Sequence, residues 1–126
     1  MLEITLGFPP SELSPNKRLH WAKLARAKKL YRKACWEMTI EQLGTAIEVP
    51  DGPLELQLLF IRPDRRSYDR DNLTARMKSG LDGMCDALKI DDKRFSTVVV
   101  RVAADEIGGM VKVLIKGEDN GSTKNL

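Results

Sequence analysis

The sequence is poor in the residues that build the commonest covalent and metal-cluster sites. It has two cysteines, Cys35 and Cys85, and a single histidine, His20, so it contains no Cys/His set of the kind that binds zinc. The cysteines lie within separate helical patterns, which favours buried free thiols over a disulfide. The sequence also offers no convincing Ser/His/Asp or Cys/His set, which argues against catalysis by a nucleophilic side chain.

Long apolar runs are absent too, and this excludes a membrane span of ordinary length. The N-terminus has no basic lead followed by an apolar run of signal length, so we expect a cytoplasmic protein. A chain of 126 residues with 42% hydrophobic composition is long enough for one compact domain, predicted over residues 1–116. Residues 117–126 are polar and are predicted to form a flexible tail.

Acidic residues are missing from one basic stretch, although the net charge of the whole chain is only +3. Residues 16–33 contain eight basic residues and no acid: Lys17, Arg18, Lys23, Arg26, Lys28, Lys29, Arg32 and Lys33. A run of one sign creates a local field that attracts polyanions such as nucleic acid. A solvated helix face is an equally good interpretation of this run taken alone.

The hydrophobic pattern predicts a small α/β (α+β) fold with the order β-α-β-α-β-β. Strands are predicted at residues 2–8, 54–61, 95–103 and 110–116, and helices at 20–43 and about 72–88. In the first helix the apolar side is predicted to contain Leu24, Ala27, Tyr31, Ala34, Cys35 and Met38. The opposite side is predicted to present Arg26, Lys28, Lys29, Arg32 and Lys33. We expect a mixed sheet of about four strands packed by the two helices, with the last two strands forming a hairpin.

A pair of acids, Asp69 and Asp71, follows the second predicted strand. If the chain is still extended there, their spacing places both carboxylates on one side. Asp71 also lies where the second helix is predicted to begin, and on that helix it shares a face with Ala75, Lys78 and Asp82. Lys78 is therefore expected beside the acidic pair.

Two further acids, Asp91 and Asp92, lie in the loop after the second helix and could fold back to the same place. Mg²⁺ and Mn²⁺ prefer carboxylate and water oxygens and usually take a substrate phosphate oxygen as well. Such an ion activates water and neutralises phosphoryl charge without a nucleophilic side chain. The predicted metal ligands are thus Asp69, Asp71, Asp91 and Asp92.

Simpler interpretations of these acids remain open. An Asp-x-Asp pair before a helix is often an N-cap, and Asp91-Asp92 is compatible with a solvated turn. An EF-hand is rejected because Thr74 occupies the position at which the calcium loop requires glycine. Trp21 and Trp36 are more typical of packing or helix-surface residues than of base-stacking platforms.

Several segments together resemble the RusA-type Holliday junction resolvases, in particular their phage and prophage branch. They are Phe8-Pro9-Pro10, Leu13-Ser14-Pro15-Asn16-Lys17-Arg18-Leu19-His20-Trp21, Tyr31-Arg32, Arg62-Pro63-Asp64-Arg65-Arg66, Asp69-Arg70-Asp71-Asn72-Leu73 and Leu88-Lys89-Ile90-Asp91-Asp92. The resemblance covers nearly the whole chain up to about Lys116, and the ordered set is far more specific than one Asp-x-Asp.

The resemblance implies a homodimeric endodeoxyribonuclease that depends on Mg²⁺ or Mn²⁺ and resolves four-way DNA junctions by symmetric paired nicking in recombination and repair. It implies that Asp69, Asp71 and Asp92 are the catalytic acids. The family often has lysine where this chain has Ala75, and Lys78 is predicted to take that role. No nucleotide cofactor is expected. The DNA backbone is predicted to contact Lys17, Arg18, Arg26, Lys28, Lys29, Arg32, Lys33, Arg65, Arg66, Arg70 and Arg76.

Two other functions are alternatives to the nuclease. A protein that binds junctions on the same fold without catalysis would need no acids, so the presence of all three argues against it. An Mn²⁺-dependent glycosyltransferase also uses Asp-x-Asp, but 126 residues leave little room for a nucleotide-sugar domain and the basic helix would be unexplained.

Overall fold

The computed structural model describes residues 1–118 and has the predicted β-α-β-α-β-β order. The strands are β1 (Leu2–Gly7), β2 (Leu54–Arg62), β3 (Phe95–Ile107) and β4 (Met110–Gly117), and the helices are α1 (Trp21–Leu43) and α2 (Arg70–Leu88). Two short 3₁₀ helices cover Ser11–Leu13 and Asp92–Arg94. The predicted fold class, a mixed sheet of four strands with two main helices, is confirmed.

The sheet has the strand order β1-β4-β2-β3, which contradicts the predicted hairpin. β4 runs antiparallel to both β1 and β2, whereas β3 runs parallel to β2 on its other side. Gly108 and Gly109 carry the chain across the end of β2, where their N–H groups donate to the carbonyls of Arg62 (2.8 Å) and Ile61 (3.1 Å). A glycine-rich link is compatible with this crossing as well as with a hairpin. The alternation of apolar residues shows which face of a strand is buried, but it does not show which strand lies beside it.

The hydrophobic core lies between one face of the sheet and the two helices. β2 contributes Leu54, Leu56, Leu58 and Phe60, and each of these side chains is at most 2% exposed. Both cysteines are free and buried, as predicted. Burial raises the pKa of the Cys35 thiol to about 11 and that of Cys85 to about 12, so both remain protonated at neutral pH.

The two helices approach each other most closely where α2 has glycines. A Cβ atom built on Gly83 would lie 2.0 Å from the backbone oxygen of Arg32, and one on Gly80 would lie 2.4 Å from Cε2 of Tyr31. Beside this contact the Arg32 guanidinium donates to both carboxylate oxygens of Asp86, at 2.7 and 3.0 Å. The glycines thus allow α2 to lie directly against α1.

The C-terminal strand extends slightly further than predicted. Gly117 is the last residue of β4, and the next residue, Glu118, accepts hydrogen bonds from Ser96 and Thr97. The rest of the predicted tail, residues 119–126, lies outside the described residues. Neither helix within residues 1–118 combines the length and apolar character that crossing a membrane requires.

Candidate functional site

The exposed side of α2 brings together a lysine and two acids. Lys78 Nζ donates to Asp82 Oδ1 one turn later (3.1 Å) and to Asp92 Oδ2 from the loop after the helix (3.3 Å). The hydrogen bond to Asp82, with a smaller contribution from Asp92, raises the pKa of Lys78. Asp92 from the loop after α2 therefore reaches Lys78, whereas no hydrogen bond or ion pair within residues 1–118 joins Lys78 to Asp69 or Asp71.

Asp92 also lines a small cleft between α2 and the sheet. The cleft has a volume of about 220 Å³, and Thr74 and Lys78 line it from α2 while Phe95 and Val98 line it from β3. The short helix Asp92–Arg94 holds Asp92 at this position immediately before β3 begins. The loop thus delivers one carboxylate to the middle of α2.

Asp69 and Asp71 lie at the beginning of α2, but not in the extended geometry that we predicted. Asp69 is the N-cap, and its Oδ1 accepts a hydrogen bond from the backbone N–H of Asp71 at 3.3 Å. Asp71 is already in the first helical turn, because the helix begins at Arg70 rather than near Asn72. Both acids are exposed, and both lie where the helix dipole favours negative charge.

Asp91 caps the short helix that follows it. Its side chain accepts a hydrogen bond of 2.9 Å from the backbone N–H of Lys93. This hydrogen bond is the main reason that the pKa of Asp91 is lowered. The described contacts of Asp91 are therefore those of a cap, whereas its neighbour Asp92 points to Lys78.

A divalent metal fits the chemistry of these acids, although they are not assembled into a closed site. Residues 1–118 contain no group of three or more His, Cys, Asp or Glu residues that could hold a metal ion. Asp71 precedes Lys78 by seven residues, which is roughly 10 Å along a helix axis. Mg²⁺ usually uses only one or two protein carboxylates and completes its shell with water and substrate phosphate oxygens. The exposed carboxylates provide donors of that kind.

Arg76 is not available to bind DNA, so that prediction is wrong. Its side chain is only 7% exposed, and its guanidinium donates to the carbonyls of Pro9 (2.6 Å) and Pro10 (3.2 Å). The same group lies 5.5 Å from the centre of the Phe8 ring. Burial lowers the pKa of Arg76. Position 76 lies next to Met77 on the buried side of the helix. A charged residue there forms hydrogen bonds with other parts of the protein instead of facing solvent.

Replacing Arg76 with leucine is expected to destabilise the fold by about 2 kcal/mol, because the buried carbonyl of Pro9 loses its donor and that of Pro10 loses one of its two. Chemical denaturation followed by circular dichroism measures this change. The control is Arg70→Leu at an exposed position of the same helix, expected to change the free energy of unfolding by about 0.5 kcal/mol or less. Equal effects of the two substitutions would contradict a structural role for Arg76.

A second contact joins the beginning of α2 to the N-terminal segment. Asn72 Nδ2 donates to Ser14 Oγ at 2.9 Å. Together, Asn72 and Arg76 fasten residues 9–14 to the helix that begins with the acidic pair. Asn72 and Ser14 both lie in the segments that resemble the resolvases, but nothing in their spacing shows that they meet.

The predicted basic residues do not form one surface. Lys28 lines a cavity against α2 and Arg32 is paired with Asp86, whereas Arg26, Lys29 and Lys33 lie on another side of α1 at about 100° per residue. Arg66 binds the carboxylate of Asp64 (2.7 Å), which lowers the pKa of that carboxyl to about 2. The remaining predicted cations are exposed, namely Lys17, Arg18, Arg65 and Arg70.

Comparison with known proteins finds a relative but no matching family model. The chain is 38% identical over 120 residues to an uncharacterized protein of Xylella fastidiosa, an alignment that covers 93% of this chain and 77% of that protein. The chain belongs to the same family as this bacterial protein. The relative's description names no activity, so this relationship does not indicate a function for the chain.

Proposed function

We propose that this family member is a metal-dependent endodeoxyribonuclease that resolves four-way DNA junctions during recombination and repair. The observation that carries the proposal is the contact of Lys78 with Asp92, which brings a distant acid to the helix that begins with Asp69 and Asp71. These are the residues to which the resemblance to RusA-type resolvases assigns catalysis. The proposed setting is the cytoplasm, where the DNA of a phage, a prophage or its host is accessible.

The acids and the lysine would have different roles in cleavage. Asp69, Asp71 and Asp92 would hold Mg²⁺ or Mn²⁺, with Asp91 adjacent to them, and the bound ion would supply an activated water and neutralise phosphoryl charge. The ammonium group of Lys78 has three donors, of which two are used by Asp82 and Asp92. The third donor can contact a phosphate oxygen, which is the role that the family lysine would have at Ala75.

The exposed cations would hold the DNA backbone. Contacts to phosphate carry no sequence information, and each one releases counterions, so junction binding should weaken steeply as salt increases. Of the predicted set, Arg65 and Arg70 lie close to Asp69 and Asp71 along the chain, Lys17 and Lys28 line a cavity together with Lys78, and Arg18 is adjacent to Lys17. Arg26, Lys29 and Lys33 lie on another side of α1 and would reach a different part of a branched DNA.

A homodimer fits the proposed substrate. A four-way junction has approximate two-fold symmetry, so a two-fold dimer presents two equivalent sites to two like strands. A monomer would leave one of these strands uncut. Light scattering of the purified chain at low and high salt is expected to give twice the mass of one chain in both conditions.

Junction binding without catalysis is the second candidate. The observations that favour it are the capping role of Asp69 and the lack of a closed three-acid group within residues 1–118. Such a protein would bind four-way DNA in a salt-sensitive way and would leave it intact in Mg²⁺ or Mn²⁺.

The test compares an end-labelled synthetic four-way junction with a linear duplex that contains the same sequence. With Mg²⁺, we expect nicks at matching positions on two opposing strands of the junction and no comparable cutting of the duplex. With excess EDTA, binding should persist without nicks. Binding without cleavage in both Mg²⁺ and Mn²⁺ would favour the second candidate, and equal cutting of junction and duplex would contradict structure-selective resolution.

A further inference from the structure

A cavity of about 380 Å³ lies on the other flank of α2 from Asp92, between that helix, α1 and the segment around Ser14. We refer to it as the lysine cavity, because Lys17, Lys28 and Lys78 line it. Its apolar wall includes Leu13, Pro15 and Leu24. This volume is within the range of sites that bind small ligands, and the combination of cations with apolar walls suits an amphipathic anion.

The electrostatics of the lysine cavity favour a negatively charged ligand. Lys17 and Lys28 form no ion pair within residues 1–118, whereas Lys78 is shared between Asp82 and Asp92. Asp82 is the single acid in the lining, so the cations outnumber it. An anion would therefore find free ammonium groups on the side facing α1 and the N-terminal segment.

A buried hydroxyl in the same lining has no partner among the described residues. Ser79 Oγ is inaccessible to solvent and makes no hydrogen bond within residues 1–118, although Ser79 lines the cavity. Buried hydroxyls are normally hydrogen-bonded, and leaving one unsatisfied is costly. Because Oγ is inaccessible in this rotamer, a phosphate or sugar oxygen in the cavity would become its partner only after the Ser79 side chain rotates toward the cavity.

The wall of the cavity is held in place by contacts already described. Ser14 accepts from Asn72, and Arg76 binds the carbonyls of Pro9 and Pro10, which lie just before Leu13. The N–H of Leu13 also donates to the carbonyl of Pro10 at 3.1 Å. These contacts hold the cavity wall in one arrangement, which reduces the ordering needed for binding.

We propose that the lysine cavity binds one nucleotide unit, with its phosphate at Lys17, Lys28 and Lys78 and its sugar and base against Leu13, Pro15 and Leu24. The choice of a DNA strand as the source of that nucleotide rests on the proposed function, whereas the chemistry of the cavity fits a free nucleotide as well. Because Lys78 lines both this cavity and the cleft of Asp92, a strand bound in the cavity would pass close to Asp92.

The test is a titration of the ¹⁵N-labelled chain without metal, followed by amide chemical shifts. Thymidine 5′-monophosphate is compared with thymidine, with inorganic phosphate and with the trinucleotide d(TpTpT). We expect the monophosphate to shift amides at residues 13–17 and 78–79 and to bind about tenfold more tightly than thymidine or phosphate alone. Tighter binding of the trinucleotide would identify a strand as the source, and its exclusion would identify a free nucleotide.

Matched variants show whether the cavity is responsible. Lys17→Ala with Lys28→Ala should weaken binding of the monophosphate about tenfold, since two charge-assisted contacts are lost. Arg101→Ala with Lys112→Ala removes the same charge from exposed residues on the sheet face that points away from the helices, and should change it less than about threefold. No binding at millimolar monophosphate, equal losses in both variants, or equally tight binding of inorganic phosphate would overturn the proposal. Since no cleavage is measured, these outcomes are independent of a failure of the nuclease proposal.

Discussion

Replacing Gly83 with alanine is expected to destabilise the fold by about 3 kcal/mol, among the largest effects of adding one methyl group. The added Cβ would lie 2.0 Å from the backbone oxygen of Arg32, so α1 and α2 would have to move apart. A backbone atom held in a helix cannot rotate away as a side chain can. Urea denaturation followed by circular dichroism gives the change in the free energy of unfolding.

Gly80→Ala is the matched comparison one turn earlier on α2. There the added Cβ would meet the Tyr31 ring at 2.4 Å and Cys35 Sγ at 2.9 Å, which are side-chain atoms with some freedom to shift. We expect a smaller destabilisation than for Gly83→Ala. A Gly83 variant as stable as the wild type, or less affected than the Gly80 variant, would contradict the close helix contact.

Replacing Asp71 with asparagine is expected to reduce junction cleavage by about 10³-fold, equal to about 4 kcal/mol of lost transition-state stabilisation. The amide keeps the shape of the side chain but removes the charge that would hold the metal. Because Asp71 is exposed and its side chain forms no hydrogen bond within residues 1–118, the loss of stability should be limited to its interaction with the helix dipole, about 0.5 kcal/mol. Initial rates of nicking at saturating protein measure the effect.

Asp105→Asn is the control, because it removes the same charge from an exposed residue of β3. Its cleavage rate should be close to that of the wild type, and junction binding by both variants should be as tight as before or slightly tighter. Loss of binding by the Asp71 variant would assign the residue to DNA contact or folding. Unchanged cleavage would remove it from the proposed metal ligands.

The elements of this fold could be predicted from sequence because their apolar periodicity is strong. The alternation of Leu54, Leu56, Leu58 and Phe60 predicts β2 to within one residue, and the stripe beginning at Leu73 predicts α2. The neighbour of each strand was not predictable, because β3 and β4 have the same alternation whether they pair with each other or flank β2.

The site was predictable in part, for reasons that differ from residue to residue. Helical spacing places Lys78 beside Asp82, whereas the contact of Asp92 with Lys78 depends on the path of the loop after α2, which spacing does not show. Asp69 and Asp71 do not lie together in an extended segment as expected. Asp69 is the N-cap of α2, so the helix begins at Arg70 and already includes Asp71. The prediction that Arg76 contacts DNA is wrong because its charge, on the buried side of the helix, is satisfied by the carbonyls of Pro9 and Pro10. These carbonyls are distant in sequence and cannot be recognised as its partners from sequence alone.

The same contacts explain how the scaffold presents the site. Gly83 allows α2 to lie against α1, and Asn72 and Arg76 fix the N-terminal segment to the beginning of α2. Asp69, Asp71 and Lys78 therefore lie on one helix, which also forms one wall of the lysine cavity and whose position is set by packing on its other side. A substitution on the buried side should alter binding and cleavage together, whereas one on the exposed side should alter them separately.

The most direct measurement uses a supercoiled plasmid that extrudes a cruciform, incubated with the purified chain and Mg²⁺. Two symmetric nicks made within one binding event convert the plasmid to the linear form, and we predict linear product from the earliest times. Open circles that form first and become linear only later would contradict paired cutting by a two-fold dimer. A plasmid that stays supercoiled while the chain binds its cruciform would contradict the nuclease itself.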